Sequence, residues 1–167
     1  MEIRLITPDD AKEYWELRLE ALQKNSESFA TSYEEAIQRT NPIEQVENNL
    51  RTEGNYTFGA FSQNKLVGMV TLSQEGYLKM KHRANIFAMY VTPQARGVGA
   101  GRGLLLAAIN KAREIEGIEK VNLSVVSTNE KAKNLYTKLG FKVFGIEERA
   151  LKVANMYLDE DHMTLIL

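Results

Sequence analysis

Between Val91 and Leu105 the chain reads Val-Thr-Pro-Gln-Ala-Arg-Gly-Val-Gly-Ala-Gly-Arg-Gly-Leu-Leu. No other stretch restricts the fold as much. It follows an apolar run, Ile86 to Val91, which has the pattern of a buried strand. It precedes Leu104, Leu105, Ala108, Ile109, Ala112 and Ile115, which recur at helical spacing. The order is therefore strand, glycine-rich turn, helix. Such a turn leaves the first helical N–H groups without intrahelical partners, at the positive end of the helix dipole. A phosphate is the natural occupant of that position. Gly97, Gly99, Gly101 and Gly103 lack a Cβ, which would let a phosphate approach the backbone. The competing reading is a tight turn ahead of a core helix.

Two common phosphate-binding patterns fail. No G-x-x-x-x-G-K-[ST] string occurs. The dinucleotide pattern G-x-G-x-x-G would need a third glycine at Arg102 or at Leu104, and the acid expected roughly 20 residues on is found only as Glu119, where the next strand begins. The string that fits is R-x-x-G-x-G, carried by Arg96, Gly99 and Gly101.

A second string begins after the buried run Val121 to Val126. Asn129, Ala132, Leu135, Tyr136, Gly140 and Phe141 form N-x-x-A-x-x-L-Y-x-x-x-G-F. Thr128 or Asn129 can cap a helix here, and Gly140 suits its C-terminal exit. On local grounds Asn129 is as well explained by a cap, and Tyr136 by a core aromatic.

Together the two strings closely resemble the acetyl-CoA loop and the following helix of the GCN5-related N-acetyltransferases (GNAT). With the strand order, the likeness extends from Ile3 to Leu167, though the N-terminal part matches only by pattern. It implies an α/β fold: a mixed, mostly antiparallel central sheet of about seven strands with helices on both faces, as one domain over residues 1–167. It implies acetyl-CoA as co-substrate, held by Met89, Tyr90 and Val91 of a splayed strand, by Arg96, Gly97, Val98, Gly99, Ala100, Gly101 and Arg102, and by Asn129. Tyr136 would be the catalytic acid beside the sulfur. Members of the family are often dimers, which points to a homodimer.

Composition narrows the alternatives. The chain has 167 residues, 44% of them hydrophobic, enough for one core. A net charge of −1 provides no field for recruiting nucleic acid. The absence of cysteine removes disulfides, thiolate metal sites and a cysteinyl acyl-enzyme. The N-terminus lacks the apolar core of a signal peptide, and no run approaches the roughly 18 apolar residues of a membrane span. A cytoplasmic protein without a membrane partner is the expectation.

Elsewhere the reading is coarser. Ile3 to Ile6 alternates as a first strand, and Thr7, Pro8 and Asp10 form a helix start with a capping box. Tyr56–Phe61 and Leu66–Leu72 form a hairpin turned at Gln63-Asn64. Asn25 to Glu53 carries six acids against two arginines, a local charge of −4. This is either a solvated helix face or a negative rim for a cationic amine. The family often lines its acceptor pocket with this stretch, so Tyr33 and Glu34 are the acceptor-binding candidates. Lys79, Lys81, His82 and Arg83 make a basic connection that would be exposed or would meet the CoA 3′-phosphate or an anionic substrate. Near the C-terminus, Phe141–Glu147 should pair with a final strand ending at Leu167. Residues 148–152 read as a loop reaching the acceptor site or a second subunit, and Asp159–His162 as an exposed turn; its adjacent acids do not make a metal site.

The implied reaction is direct attack by a primary amine on the thioester. An alkylamine with a pKa near 10.4 is neutral only about once in two to three thousand molecules at pH 7, so the site must deprotonate it. Many family members carry a glutamate for this on the strand before the loop. Ala84–Val91 has no acid. Glu34, Glu35, His82 and Glu147 remain as bases, alongside a water relay. The acceptor would be a small amine (a polyamine, amino acid or antibiotic-like amine), with a protein N-terminus or lysine as the alternative. A non-catalytic acyl-CoA-binding module is the reading from another class.

Overall fold

The computed structural model describes residues 1–167. Seven strands form one sheet in the order β1-β2-β3-β4-β5-β7-β6. The strands are β1 (Glu2–Leu5), β2 (Asn55–Ser62), β3 (Lys65–Gln74), β4 (Arg83–Val91), β5 (Lys120–Val126), β6 (Lys142–Val153) and β7 (Met156–Ile166). The helices are α1 (Ala11–Lys24), α2 (Tyr33–Ile37), α3 (Pro42–Arg51), α4 (Ala100–Glu114) and α5 (Glu130–Lys138). Every neighbouring pair is antiparallel except β4 with β5.

Helices cover both faces. The apolar stripe of α4 packs Leu104, Leu105, Ala108, Ile109 and Ala112 on Val70, Leu72 and Ile86 of the sheet. Burying each of the large residues contributes about 1.5–3 kcal/mol. On the other face, Leu17 and Ala21 of α1 meet Phe61, Leu66, Met69 and Tyr90. Trp15 sits in a smaller cluster with Leu22, Ala36 and Val46, so α2 and α3 are held against α1.

The turns follow their residues. Gln63 and Asn64 both take positive φ, the geometry of a tight hairpin turn. Thr7 and Asp10 form the expected capping box, on a short 3-10 turn that leads into α1. Arg4 donates to both Asp10 oxygens at 2.8 Å and holds that carboxyl well below the usual carboxylate range.

The C-terminal third differs from expectation. Residues 148–152 form no long loop but continue β6, which pairs with β7 beyond a register shift at Glu147/Leu151. Arg149 takes positive φ at that irregularity, and its N–H donates to Asp159 Oδ1 at 2.8 Å. Asp159–His162 is not an exposed turn but the middle of β7, bonded to β5 on one side and β6 on the other. Asp161 is 4% exposed. It accepts from Ser127 and pairs with Lys133 at 2.8 Å, which satisfies the charge that made the stretch look loop-like.

Two irregularities shape the site. Between Met69 and Thr71 the β3–β4 register shifts, and Ala88 takes φ +53°. An L-residue adopts that conformation at a strain cost, here as part of a bulge. The parallel β4–β5 pair is only three residues long, Arg83–Asn85 against Lys120–Asn122. Beyond it the two strands separate and the sheet opens.

Candidate active site

The opening between β4 and β5 is a cleft of about 1360 Å³. At one end lies the glycine loop. Gly97 (φ +81°) and Gly99 (φ +89°) have nothing within 4 Å of where a Cβ would stand, so they serve the turn and leave that side open. The first bond of α4 runs from Gly103 N–H to Gly99 C=O at 2.9 Å. The N–H groups of Ala100, Gly101 and Arg102 are thus without helical partners and meet the cleft at the positive end of α4. Gly103 has another reason to be glycine: its Cβ would stand 2.5 Å from Ile3 Cδ1, so it seats α4 on β1. Val98 is 69% exposed and is not part of the cleft wall.

Arg96 is largely a brace. Its Nε–H donates to Val91 C=O and its Nη2 to Asn25 Oδ1, both at 2.9 Å. These bonds tie the loop to β4 and to the end of α1, and leave part of the guanidinium for an anion. Tyr90 turns towards α1: its hydroxyl donates to Glu20 at 3.0 Å, and burial together with that carboxylate pushes its pKa up to about 12. Thr92 N–H donates to Val67 C=O at 2.8 Å. Antiparallel alternation then pairs Tyr90 with Met69 and turns the main-chain groups of Met89 and Val91 towards the opened side.

Asn129 caps α5, accepting from Ala132 N–H at 3.2 Å, and its Nδ2 donors remain. Tyr136 is 7% exposed, edge-on to Phe141 at 6.0 Å, and lines the cleft. Its hydroxyl bonds no protein group, and burial alone pushes its pKa up to about 12. The ring is buried while the hydroxyl is left open to the cleft, where a ligand could meet it.

The other end of the cleft is assembled from distant segments. Arg18 and Phe29 come from α1 and the turn after it, Phe87 from β4, Ser124 from β5, Phe144 from β6, and Glu160 and His162 from β7. His162 lies 2.7 Å from Ser124 Oγ through Nδ1 and 3.1 Å from Glu147 Oε2 through Nε2. An ionised carboxylate only accepts, so Nε2 carries a proton, and in the neutral ring Nδ1 accepts from the serine hydroxyl. Glu160 stands opposite Glu147 in the ladder. Burial raises its pKa most, Glu147 adds to the rise, and His162 opposes it.

Most acids proposed from the sequence lie elsewhere. Tyr33 packs into the Trp15 cluster, and neither it nor Glu34 reaches the cleft wall. Glu35 accepts from Ser32 N–H at 2.9 Å as the capping-box partner of α2. Of the six acids between Asn25 and Glu53, only Glu27 lines the cleft. His82 is exposed and off the wall; of the basic connection only Arg83 reaches it, 3.6 Å from Glu75. Glu147 remains, through His162. Ser124, Glu160 and His162 escaped the sequence reading. The one available signal was alternation, with Lys120, Asn122 and Ser124 as the polar positions of the strand.

A family model for the acetyltransferase (GNAT) family matches residues 18–141. The chain belongs to this family. It is 31% identical over 104 residues to the spermidine N(1)-acetyltransferase of Vibrio cholerae, an alignment covering 58% of each chain. The chain therefore spans little more than half of that relative. The GNAT acetyltransferase of Streptococcus pneumoniae superposes with a TM-score of 0.87 at 22% identity, over 99% of both chains. A Salmonella typhimurium structure solved with its cofactor acetyl-CoA superposes with a TM-score of 0.86 at 19% identity, over 100% of this chain and 94% of that one. At these identities the superpositions establish the GNAT fold.

Proposed function

We propose that this protein transfers the acetyl group of acetyl-CoA to the primary amine of a small molecule, by direct attack. One observation carries the reading. A single cleft joins the free N–H groups of α4 to an unbonded tyrosine hydroxyl and then to a hydrogen-bonded Ser124–His162–Glu147 chain. The Vibrio relative, by its name, acetylates a small amine. A pocket walled by the α1–α2 segment and by β6–β7 suits the same size of acceptor.

Each end then has its task. The Ala100–Arg102 N–H groups hold the pyrophosphate of CoA, with Gly97 and Gly99 keeping the approach open. The main-chain groups of Met89 and the N–H of Val91 face the pantetheine arm, in the manner of an added strand. Asn129 Nδ2 donates to the same arm. Acetyl-CoA supplies the activated thioester. Tyr136 donates to the departing thiolate; the dry wall that raises the phenol raises the thiolate as well, so the two stay matched. Ser124 Oγ takes a proton from the ammonium as it passes its own to His162 Nδ1, and Glu147 stabilises the imidazolium. Glu160 is the counter-charge that holds the ammonium in place.

The test is CoA release from acetyl-CoA against polyamines, amino acids, aminoglycosides and a lysine peptide. Release stimulated by small amines is the expected result. Stimulation by the peptide alone would shift the acceptor class, and binding without any stimulated release would mean a non-catalytic module.

A further inference from the structure

Arg18 is half-buried on α1, and its Nη1 is fully buried without a hydrogen-bond partner. It takes part in none of the protein's ion pairs. Its company gives the cation an aromatic face but no negative charge. The guanidinium lies 4.6 Å from the Phe29 ring centroid, a cation–π contact, and the one charged side chain acting on it, Arg39, has the same sign. Desolvation is the largest influence on its pKa and lowers it; Tyr14 opposes that shift, and no carboxylate does. An arginine buried for stability alone has an acid beside it, because an unpaired buried charge is strongly destabilising.

Its surroundings show where a partner would sit. A side pocket of about 300 Å³ opens beside the main cleft and shares Arg18, Phe87 and Ala88 with it. Arg18 is the one charged residue of this pocket; its other polar linings, such as Asn49, Thr57 and Ser73, are neutral. The shared Ala88 is the bulge residue of β4. The pocket therefore borders the acceptor end, on the opposite strand from Ser124 and His162.

We propose that Arg18 is the anchor for a carboxylate carried by the amine acceptor, so that the substrates are amino acids or short amino carboxylates rather than polyamines. This rests on the acetyltransferase reading for its turnover arm only. The planar guanidinium fork matches a carboxylate in a bidentate pair. An acceptor with both groups lays its ammonium towards Ser124 and Glu160 and its carboxylate into the Arg18 pocket. A polyamine would bring a second cation against Arg18 and is rejected by like charge.

The experiment is a thermal-shift and calorimetric titration of the CoA-loaded protein. The probes are the common L-amino acids, their decarboxylated amines and amides, 2-aminoethyl phosphate, and spermidine. We expect one or more amino acids to bind while their decarboxylated amines bind roughly 30-fold or more weakly, with the difference erased in Arg18→Gln. Arg18→Met without ligand should melt within a few degrees of the wild type, since no native ion pair is lost; it repeats the binding test should Arg18→Gln fold poorly. In turnover, the same variants raise KM for the amino acid and leave acetyl-CoA affinity unchanged. Equal binding of amino acid and decarboxylated amine, a preference that survives both substitutions, or binding of spermidine or 2-aminoethyl phosphate alone each overturns the proposal. Carboxylate binding through Arg18 without turnover would refute the transferase reading and leave this one standing. Turnover indifferent to the carboxylate would do the reverse.

Discussion

On the α4 side of the cleft the ligand-facing groups are main-chain N–H groups of consecutive residues, Ala100 to Arg102, set by glycines at Gly97 and Gly99. On the β7 side they are side chains from six separate elements or turns, from Arg18 to His162. The first kind of site suits a ligand that never changes, because a backbone cradle has little to vary. The second suits a ligand that differs among relatives, because each side chain can be replaced without disturbing the sheet. Under the proposed function, acetyl-CoA binding falls to one end and acceptor choice and proton removal to the other, with Tyr136 between.

The account is tested by variants that should affect one end alone. The largest effect is expected from Tyr136→Phe, which should lower kcat by roughly 10³-fold with little change in acetyl-CoA affinity. A matched loss of both, in a titration run beside the kinetics, would make Tyr136 a packing residue. His162→Gln should lower kcat by about 10²-fold at neutral pH. The lost rate should return as pH rises, because the fraction of neutral amine grows about tenfold per unit below the amine pKa. A deficit that stays constant with pH would remove His162 from the proton path.

Gly99→Val acts at the other end. Its φ of +89° strains a β-branched residue, and the new side chain projects into open space where the phosphate belongs. Acetyl-CoA affinity should fall roughly 10- to 100-fold, with less effect on kcat at saturation. Calorimetry that finds unchanged affinity would give the loop some other task.

The smallest effect is on stability. Asp161→Ala removes the partner of Ser127 and Lys133 and should cost about 2 kcal/mol at pH 7 in denaturant titration. Those bonds lower the Asp161 pKa below its ordinary 3.8. Its contribution is therefore complete above that value and is lost as pH falls through the depressed one. The gap between variant and wild type should accordingly close in acid. A gap that persists would place the loss in packing.

The same contrast explains what could be read from the chain. The glycine loop and the Asn129–Phe141 string are contiguous, so their residue types and spacing carry the chemistry with them. The acceptor end is scattered, and Arg18 looks like an ordinary helix cation until its missing partner is seen. β7 shows the limit most clearly. Asp159 to His162 has the composition of a turn, yet tertiary partners outweigh propensity: Arg149 N–H for Asp159, Lys133 for Asp161, Ser124 for His162. Those partners lie between 10 and 38 residues away in sequence, outside any local pattern.

The most direct measurement is the acetyl-CoA dissociation constant of a Ser124→Ala, His162→Gln double variant, taken with its turnover on the best amine. The account predicts wild-type affinity with turnover reduced by about 10²-fold or more, since the proton path lies wholly outside the CoA cradle. Affinity that weakens in step with turnover would contradict the division of the cleft into a cofactor end and an acceptor end.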